Sequence, residues 1–199
     1  MTDPVEAALR IALTRPAAPS SDFDLTPGMK PAAPAFLCPA AVLVGFRPGP
    51  GGLQLILTRR ASHLAHHPGQ IAFPGGKLDA ADAGPEAAAL REAREEIGLD
   101  PAGVELICAL PVHETVTGFA VTPVVGLVRG AFAPTPEAGE VEEIFAVPAA
   151  EVLDRARYSV QRRRWQGEWR RYYVVPCGPY YIWGATARIL RGLAERMPQ

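Results

Sequence analysis

Glu92, Glu95 and Glu96 crowd into about one turn of the segment "ALREAREEIGL" at residues 89–99. Like charges at these spacings destabilise a helix by about 0.2–0.5 kcal/mol per pair, and carboxylates in a last turn face the negative end of the helix dipole. Arg91, four residues before Glu95, offsets part of that cost, and Arg94 adds positive charge nearby. A divalent cation offsets more, because carboxylate oxygens are hard donors that suit Mg2+ or Mn2+, ions held by a few carboxylates together with substrate phosphates. Taken alone, a glutamate-rich helix is read first as a solvated acidic face. The paired glycines of "FPGG" at 73–76 shift the balance, since a turn without Cβ atoms lets backbone N–H groups approach a phosphate.

These side chains need a helix and a sheet to hold them. Leu90, Ala93 and Ile97 form a stripe at helical period, which predicts a helix over 87–97 packed on a sheet, with the glutamates on another face. Gly98 followed by Leu99 has the residue types of a Schellman ending. Upstream, 36–46 and 53–60 flank the turn-rich "RPGPGG" and read as a hairpin; a long loop containing "HLAHHPGQ" then leads to "IAFPGGKLD". Downstream, "VELICAL", "PVHETV", "FAVTPVVGLV" and "VEEIFAVP" read as strands and "AAEVLDRA" as a short helix. "YSVQRRRWQGEWRRYYVV" reads as a hairpin turning at Gln166-Gly167, and "YIWGATARILRGLAER" as a closing amphipathic helix. At the other end, "DPVEAALRIAL" has an Asp3 N-cap, Pro4 at the first helical position and Glu6 where a capping box wants it. A Pro/Ala/Ser-rich stretch over 14–34 follows, so the chain divides into an N-terminal helix and connector, 1–34, and a domain, 35–199. Strands alternating irregularly with few helices suggest an α/β mixed sheet between helices.

The 199 residues, 48% hydrophobic, suffice for one domain with a real core. A net charge of −1 gives no overall attraction to nucleic acid or membrane, so any anion site is local. Cys38, Cys108 and Cys177 are odd in number and widely spaced, which argues against a disulfide framework or zinc knuckle; Cys108, in an apolar run, reads as core rather than nucleophile. Asp3 and Glu6 stand where a signal peptide is basic, and no apolar run spans a bilayer, which predicts a soluble, cytoplasmic protein.

From Gly76 to Leu99 the sequence resembles the Nudix box: a glycine, five residues, an acid, a spacer, then Arg-Glu-x-x-Glu-Glu-x-Gly and an apolar residue. Arg91, Glu92, Glu95, Glu96 and Gly98 fall on motif positions. Five residues after Gly76 stands Asp82 instead of Glu, and the spacer to Arg91 is one residue longer than usual, which leaves the loop acid open among Asp79, Asp82 and Glu86. The resemblance implies a Nudix-type α/β/α sandwich with a mixed β-sheet and Mg2+ or Mn2+ held by Glu92, Glu95 and Glu96. It implies catalytic roles for Glu92, Glu95 and Arg91 in hydrolysing the diphosphate of a small nucleotide derivative.

"LTRRASHLAHHPGQIAFPGG" extends the resemblance to the coenzyme A pyrophosphatase branch through Leu57, Thr58, Arg60, Ala61, Gly69 and the 73–76 turn. Arg60, Gly69, Phe73, Gly75 and Gly76 are the substrate-binding residues it implies. Ala65 stands where the branch has a second arginine, a natural bidentate partner for phosphate, and that keeps open another substrate such as ADP-ribose or a dinucleotide. A nucleotide-sensing module without activity is the reading from another class, disfavoured by the intact Arg91 and glutamates. His63, His66 and His67 lack the further ligands of a zinc set and read as structural or phosphate contacts. Arg162, Arg163, Arg164, Arg170 and Arg171 with Trp165 and Trp169 read as a charge-protected strand edge, with a grip on nucleic acid or on a ligand's adenine and phosphates as the alternative. Oligomerisation is left open.

Overall fold

The computed structural model describes residues 3–26, 36–64, 67–165 and 167–198. Ala65 and His66 therefore lie outside the described residues, as does Gln166 of the expected hairpin turn. The elements in chain order are α1 (Pro4–Thr14), β1 (Ser20–Ser21), β2 (Cys38–Gly49), β3 (Gly52–Arg60), β4 (Ile71–Ala72), β5 (Gly75–Lys77) and α2 (Pro85–Ile97). There follow β6 (Val104–Ala109), β7 (His113–Glu114), β8 (Phe119–Val128), β9 (Val141–Pro148), α3 (Ala149–Val152), β10 (Ser159–Trp165), β11 (Glu168–Cys177), β12 (Tyr180–Trp183) and α4 (Gly184–Ala194).

Strand β2 is the axis of the mixed main sheet. It runs parallel to β8 from Cys38↔Phe119 to Phe46↔Leu127, and forms the expected antiparallel hairpin with β3 at Phe46↔Leu55 to Gly49↔Gly52. Beyond Phe46 the two hairpin strands part. Strand β5 takes the open edge of β2 at Ala40↔Lys77 to Val42↔Gly75, and β4 takes that of β3 at Thr58↔Ala72 and Arg59↔Ile71. The 73–76 turn thus threads a splay between two strands. β9 closes the far edge of β3, and β6 and β7 pair with β8.

Alternation along these strands sends apolar side chains to two cores. Ala41, Leu43, Ile56, Val124 and Val128 pack under Ala88, Ala89, Ala93 and Ile97 of α2. Val44, Phe46, Leu55, Leu57, Val125 and Leu127 pack on the opposite face with Leu9 of α1, Val152 of α3 and Leu190 and Leu193 of α4. This is the expected α/β/α arrangement of a mixed sheet. No described helix is long and apolar enough to cross a membrane.

Three local expectations are corrected. The terminal helix was expected from Tyr181, but Tyr180–Trp183 pairs with β11 as a strand and helix begins only at Gly184, because Ile182 buries by alternation beside Val175. Glu6 does not close a capping box on Asp3: its buried carboxylate accepts from Arg129 and Arg10, while Asp3 caps Val5 and Glu6 and also accepts from the Leu53 amide. The 14–34 stretch is not wholly extended connector, since Ser20–Ser21 adds as a parallel strand to β7.

Leu9 is fully buried within the same core as Phe46 and Leu193. Leu9→Ala should lower stability by about 2–5 kcal/mol and move a single urea transition to lower denaturant. An unchanged midpoint would show that α1 is dispensable to the core.

Candidate active site

Helix α2 starts at Pro85 and ends as its sequence demands, with Gly98 left-handed at φ 70°, its amide donating to the Arg94 carbonyl and that of Leu99 to the Ala93 carbonyl. Its packed face is rotated from the expected stripe. Leu90 lies half-buried at the margin, while Ala88, Ala89, Ala93, Ile97 and Glu96 are buried. Small alanines bring the helix close to the sheet, and the splay between β2 and β3 supplies a polar partner for a carboxylate there. Glu96 is only 5% exposed and its Oε2 accepts from the Gly75 amide at 3.1 Å.

The two glycines serve the glutamates. A Cβ on Gly75 would overlap the Ala41 carbonyl oxygen of β2, and one on Gly76 would lie 2.5 Å from Oε1 of Glu92. The Gly75 amide is committed to Glu96, so it is a carboxylate, not the expected phosphate, that this N–H approaches.

Arg91 ties the site to its loop. Its Nε and Nη2 donate to both oxygens of Asp82 at 3.1 and 2.9 Å, Nη2 also donates to the Lys77 carbonyl at 3.0 Å, and Nη1 donates to Glu92 at 2.9 Å and Glu95 at 3.0 Å. Asp82 also accepts from the Asp79 amide, and the guanidinium holds its carboxyl below the usual range. Of the three loop acids, Asp82 is the one the arginine grips in bidentate fashion; Asp79 stands 3.7 Å from Arg91 and is largely exposed, and Glu86 lies in the first turn of α2.

The glutamates are not equivalent. Glu92 is 16% exposed and Glu95 58% exposed at the side chain. Burial pushes the Glu96 carboxyl up to about 7, with the charges of Glu92 and Glu140 pushing the same way and the Gly75 amide and Arg60 opposing. Burial also raises Glu92, against the pull of Arg91.

Arg60, at the end of β3, supplies the positive charge that opposes the rise at Glu96. Its amide donates to the Gln70 carbonyl and its carbonyl accepts from the Gly69 amide, which closes the 61–68 loop on Gly69, itself at φ 69°. Phe73 is 4% exposed and packs in the core, where it anchors the glycine turn. Glu140 was missed in the sequence. Its carbonyl accepts from the Ala61 amide, and the loop before it hangs on α2 through Glu137 N–H to Glu96 O and Thr135 N–H to Ile97 O. Its only sequence signal is the acidic run "EAGEVEE", which has no spacing relation to the helix.

Among the described residues no three acidic, histidine or cysteine side chains converge closely enough to cage a metal alone. The donor set fits Mg2+ or Mn2+ in another way. Glu96 carries a carboxylate whose ionisation burial opposes, beside a second raised carboxyl on Glu92, and such ions bind through one or two carboxylates with water and substrate phosphates as the remaining ligands.

Comparison with known proteins accounts for this arrangement. The NUDIX domain family matches residues 37–178. Proteins of Salmonella paratyphi B and Salmonella newport, both named "Uncharacterized Nudix hydrolase NudL", are 46% identical to the chain over 160 residues, covering 78% of it and 80% of each relative. A crystal structure of a MutT/nudix family protein from Enterococcus faecalis shares the fold, with a TM-score of 0.50 at 14% identity, over 80% of this chain and 61% of that one. A glutamate pair packed on a glycine turn, an arginine bridging helix to loop, and a family match over most of the sequence agree: the chain belongs to the Nudix hydrolase family, enzymes that act on nucleoside diphosphate derivatives and generally use divalent metal ions.

Proposed function

We propose that the chain hydrolyses the diphosphate of coenzyme A or acyl-CoA, releasing 3',5'-ADP and 4'-phosphopantetheine or its acyl derivative. The observation that carries this reading is the segment 57–76. Its Leu57, Thr58, Arg60, Ala61, Gly69 and 73–76 resemble the coenzyme A pyrophosphatase branch; Arg60 ends β3, bonds through its backbone to Gly69 and Gln70 just ahead of the glycine turn, and adds positive charge that opposes the rise at Glu96. Ala65, in place of that branch's second arginine, supports ADP-ribose or a dinucleotide as the second reading.

Glu92 and Glu96 are the proposed metal ligands, with Glu95 at the exposed rim. A Mg2+ or Mn2+ ion held by Glu92 and Glu96 would supply neutralisation of phosphoryl charge, acidification of a water and stabilisation of a leaving oxygen. Glu92, with its raised carboxyl, accepts the water's proton. Arg91 positions Glu92 and holds the 77–82 loop against the helix. Arg60 and the Gly69 loop contact the substrate's phosphates, the guanidinium supplying a fork matched to them.

Incubation with Mn2+ or Mg2+ and, in parallel, CoA, ADP-ribose and NADH should yield 3',5'-ADP from CoA as the fastest reaction. ADP-ribose cleaved far faster than CoA would overturn the CoA assignment, and no turnover of any would overturn hydrolysis. Glu96→Gln should cut turnover by about 10²–10³-fold, the scale on which a single electrostatic stabiliser counts, while circular dichroism stays native. Wild-type turnover in that variant would remove Glu96 from the site.

The raised Glu96 carboxyl also sets a pH signature. Between the ordinary glutamate value of 4.5 and about 7, the folded state holds a proton that the unfolded chain has lost. Stability from this group is thus full below about 4.5 and falls as pH rises through 7, by on the order of 3 kcal/mol. A cation would bind the ionised carboxylate and restore it, so the rise in Tm on adding Mn2+ should be larger at pH 8 than at pH 5.5, and this difference should shrink in Glu96→Gln, where the raised Glu92 carboxyl still titrates. An equal rise at both pH values in the wild type would show that the metal does not engage Glu96.

A further inference from the structure

Sheet β10-β11-β12 is built on a charge pattern that strand pairing does not favour. Arg162 lies directly opposite Arg171 and Arg163 directly opposite Arg170, two successive like-charge pairs, one on each face of the ribbon. Within 159–177 the only acid is Glu168. Charge that protects an edge from aggregation does not call for arginines facing arginines across the ribbon.

Alternation separates the two faces. Val175, Cys177 and Ile182 turn into the main core. The other face carries Arg163, Arg170, Tyr172 and Trp183: the guanidinium of Arg163 lies 5.1 Å from the Trp183 ring centroid, and the Tyr172 and Trp183 rings meet edge to face at 5.4 Å. Arg170 lies over the Phe23 ring and is largely buried there, its Nη2 donating to the Asp22 carbonyl at 3.2 Å with the Asp22 carboxylate 3.7 Å away, so it fixes the 22–23 segment against this face and leaves Arg163 as the outer guanidinium. Flat π faces beside guanidinium groups take a base and a phosphate together, because stacking accepts any base while arginine holds the anion.

The position of this face ties it to the active site. A Cβ on Gly184, next to Trp183, would lie 3.7 Å from Nε2 of Gln70, whose carbonyl accepts from the Arg60 amide, and Thr186 Oγ1 donates to the Ile71 carbonyl of β4 at 3.1 Å. The platform therefore adjoins the segment that runs straight into the glycine turn over Glu92 and Glu96. We propose that Arg163, Tyr172 and Trp183 on this face bind the nucleoside end of the substrate, an aromatic base with a phosphate beyond the scissile diphosphate, with Arg170 holding the 22–23 segment behind them. This rests on the reading of the substrate as a phosphorylated nucleoside diphosphate derivative.

The test compares wild type, Arg163→Gln and Arg163→Lys. Calorimetry with 3',5'-ADP, which needs no turnover, should show binding weakened about tenfold in Arg163→Gln and partly recovered in Arg163→Lys. With Mn2+, KM for CoA should rise about tenfold in Arg163→Gln at a kcat within twofold of wild type. Loss of 3',5'-ADP binding in Arg163→Gln, in a protein that turns over no CoA, would support the platform while removing the CoA assignment. Equal affinity for 3',5'-ADP in wild type and Arg163→Gln, or no measurable binding in wild type, would overturn the platform. So would loss of binding to a single-stranded RNA 12-mer in Arg163→Gln with 3',5'-ADP binding unchanged, since the face would then belong to nucleic acid.

Discussion

Glu96 can be buried only because the Gly75 amide meets its carboxylate, and that contact constrains the sheet, the helix and the loops around it. Gly75 reaches the glutamate from an edge position on β2, so close to the Ala41 carbonyl that any side chain is excluded. For β5 to occupy that edge, β3 must leave β2 after Phe46, and β4 must then satisfy the freed edge of β3. On the helix, Ala88, Ala89 and Ala93 are what allow α2 to lie near enough for Glu96 to reach. A larger residue at any of these positions would lift the carboxylate from the one donor it has among the described residues and leave a buried acid uncompensated.

Arg91 solves the complementary problem of holding three further acids near that buried one. A guanidinium presents donors in a fixed plane, and here they go to Asp82, the Lys77 carbonyl, Glu92 and Glu95. Lysine could match the charge but not the fork. The loop that Arg91 grips closes on itself through Asp79 and Asp82, and the helix starts three residues later at Pro85.

What was legible in the sequence was local. The hairpin of β2 and β3, the start of α1 on Asp3 and the Gly98 stop follow from residues within a few positions of one another. The site itself was readable because its arginine and glutamates share one helix. What escaped depended on distant partners. Nothing near Glu6 announces Arg129, and nothing near Glu140 announces α2. Tyr180–Trp183 reads equally well as the first turn of an amphipathic helix, and only the free edge of β11 decides for strand. The burial of Glu96 was misread for the same reason, because periodicity locates an apolar stripe but cannot see a donor arriving from another strand.

The net charge of −1 conceals a division of labour that the fold makes explicit. Acids gather on α2 and the 137–143 loop, arginines on the β10–β11 ribbon, and the segment from Arg60 to Gly76 joins the two regions. A ligand that carries a cation-bound diphosphate at one end and further negative charge at the other needs opposite fields within one molecule's reach. Concentrating either field alone would give a chain drawn to metal or to polyanions without discrimination. The fold keeps the two fields apart, on two sheets linked where α4 meets β4, so that neither cancels the other.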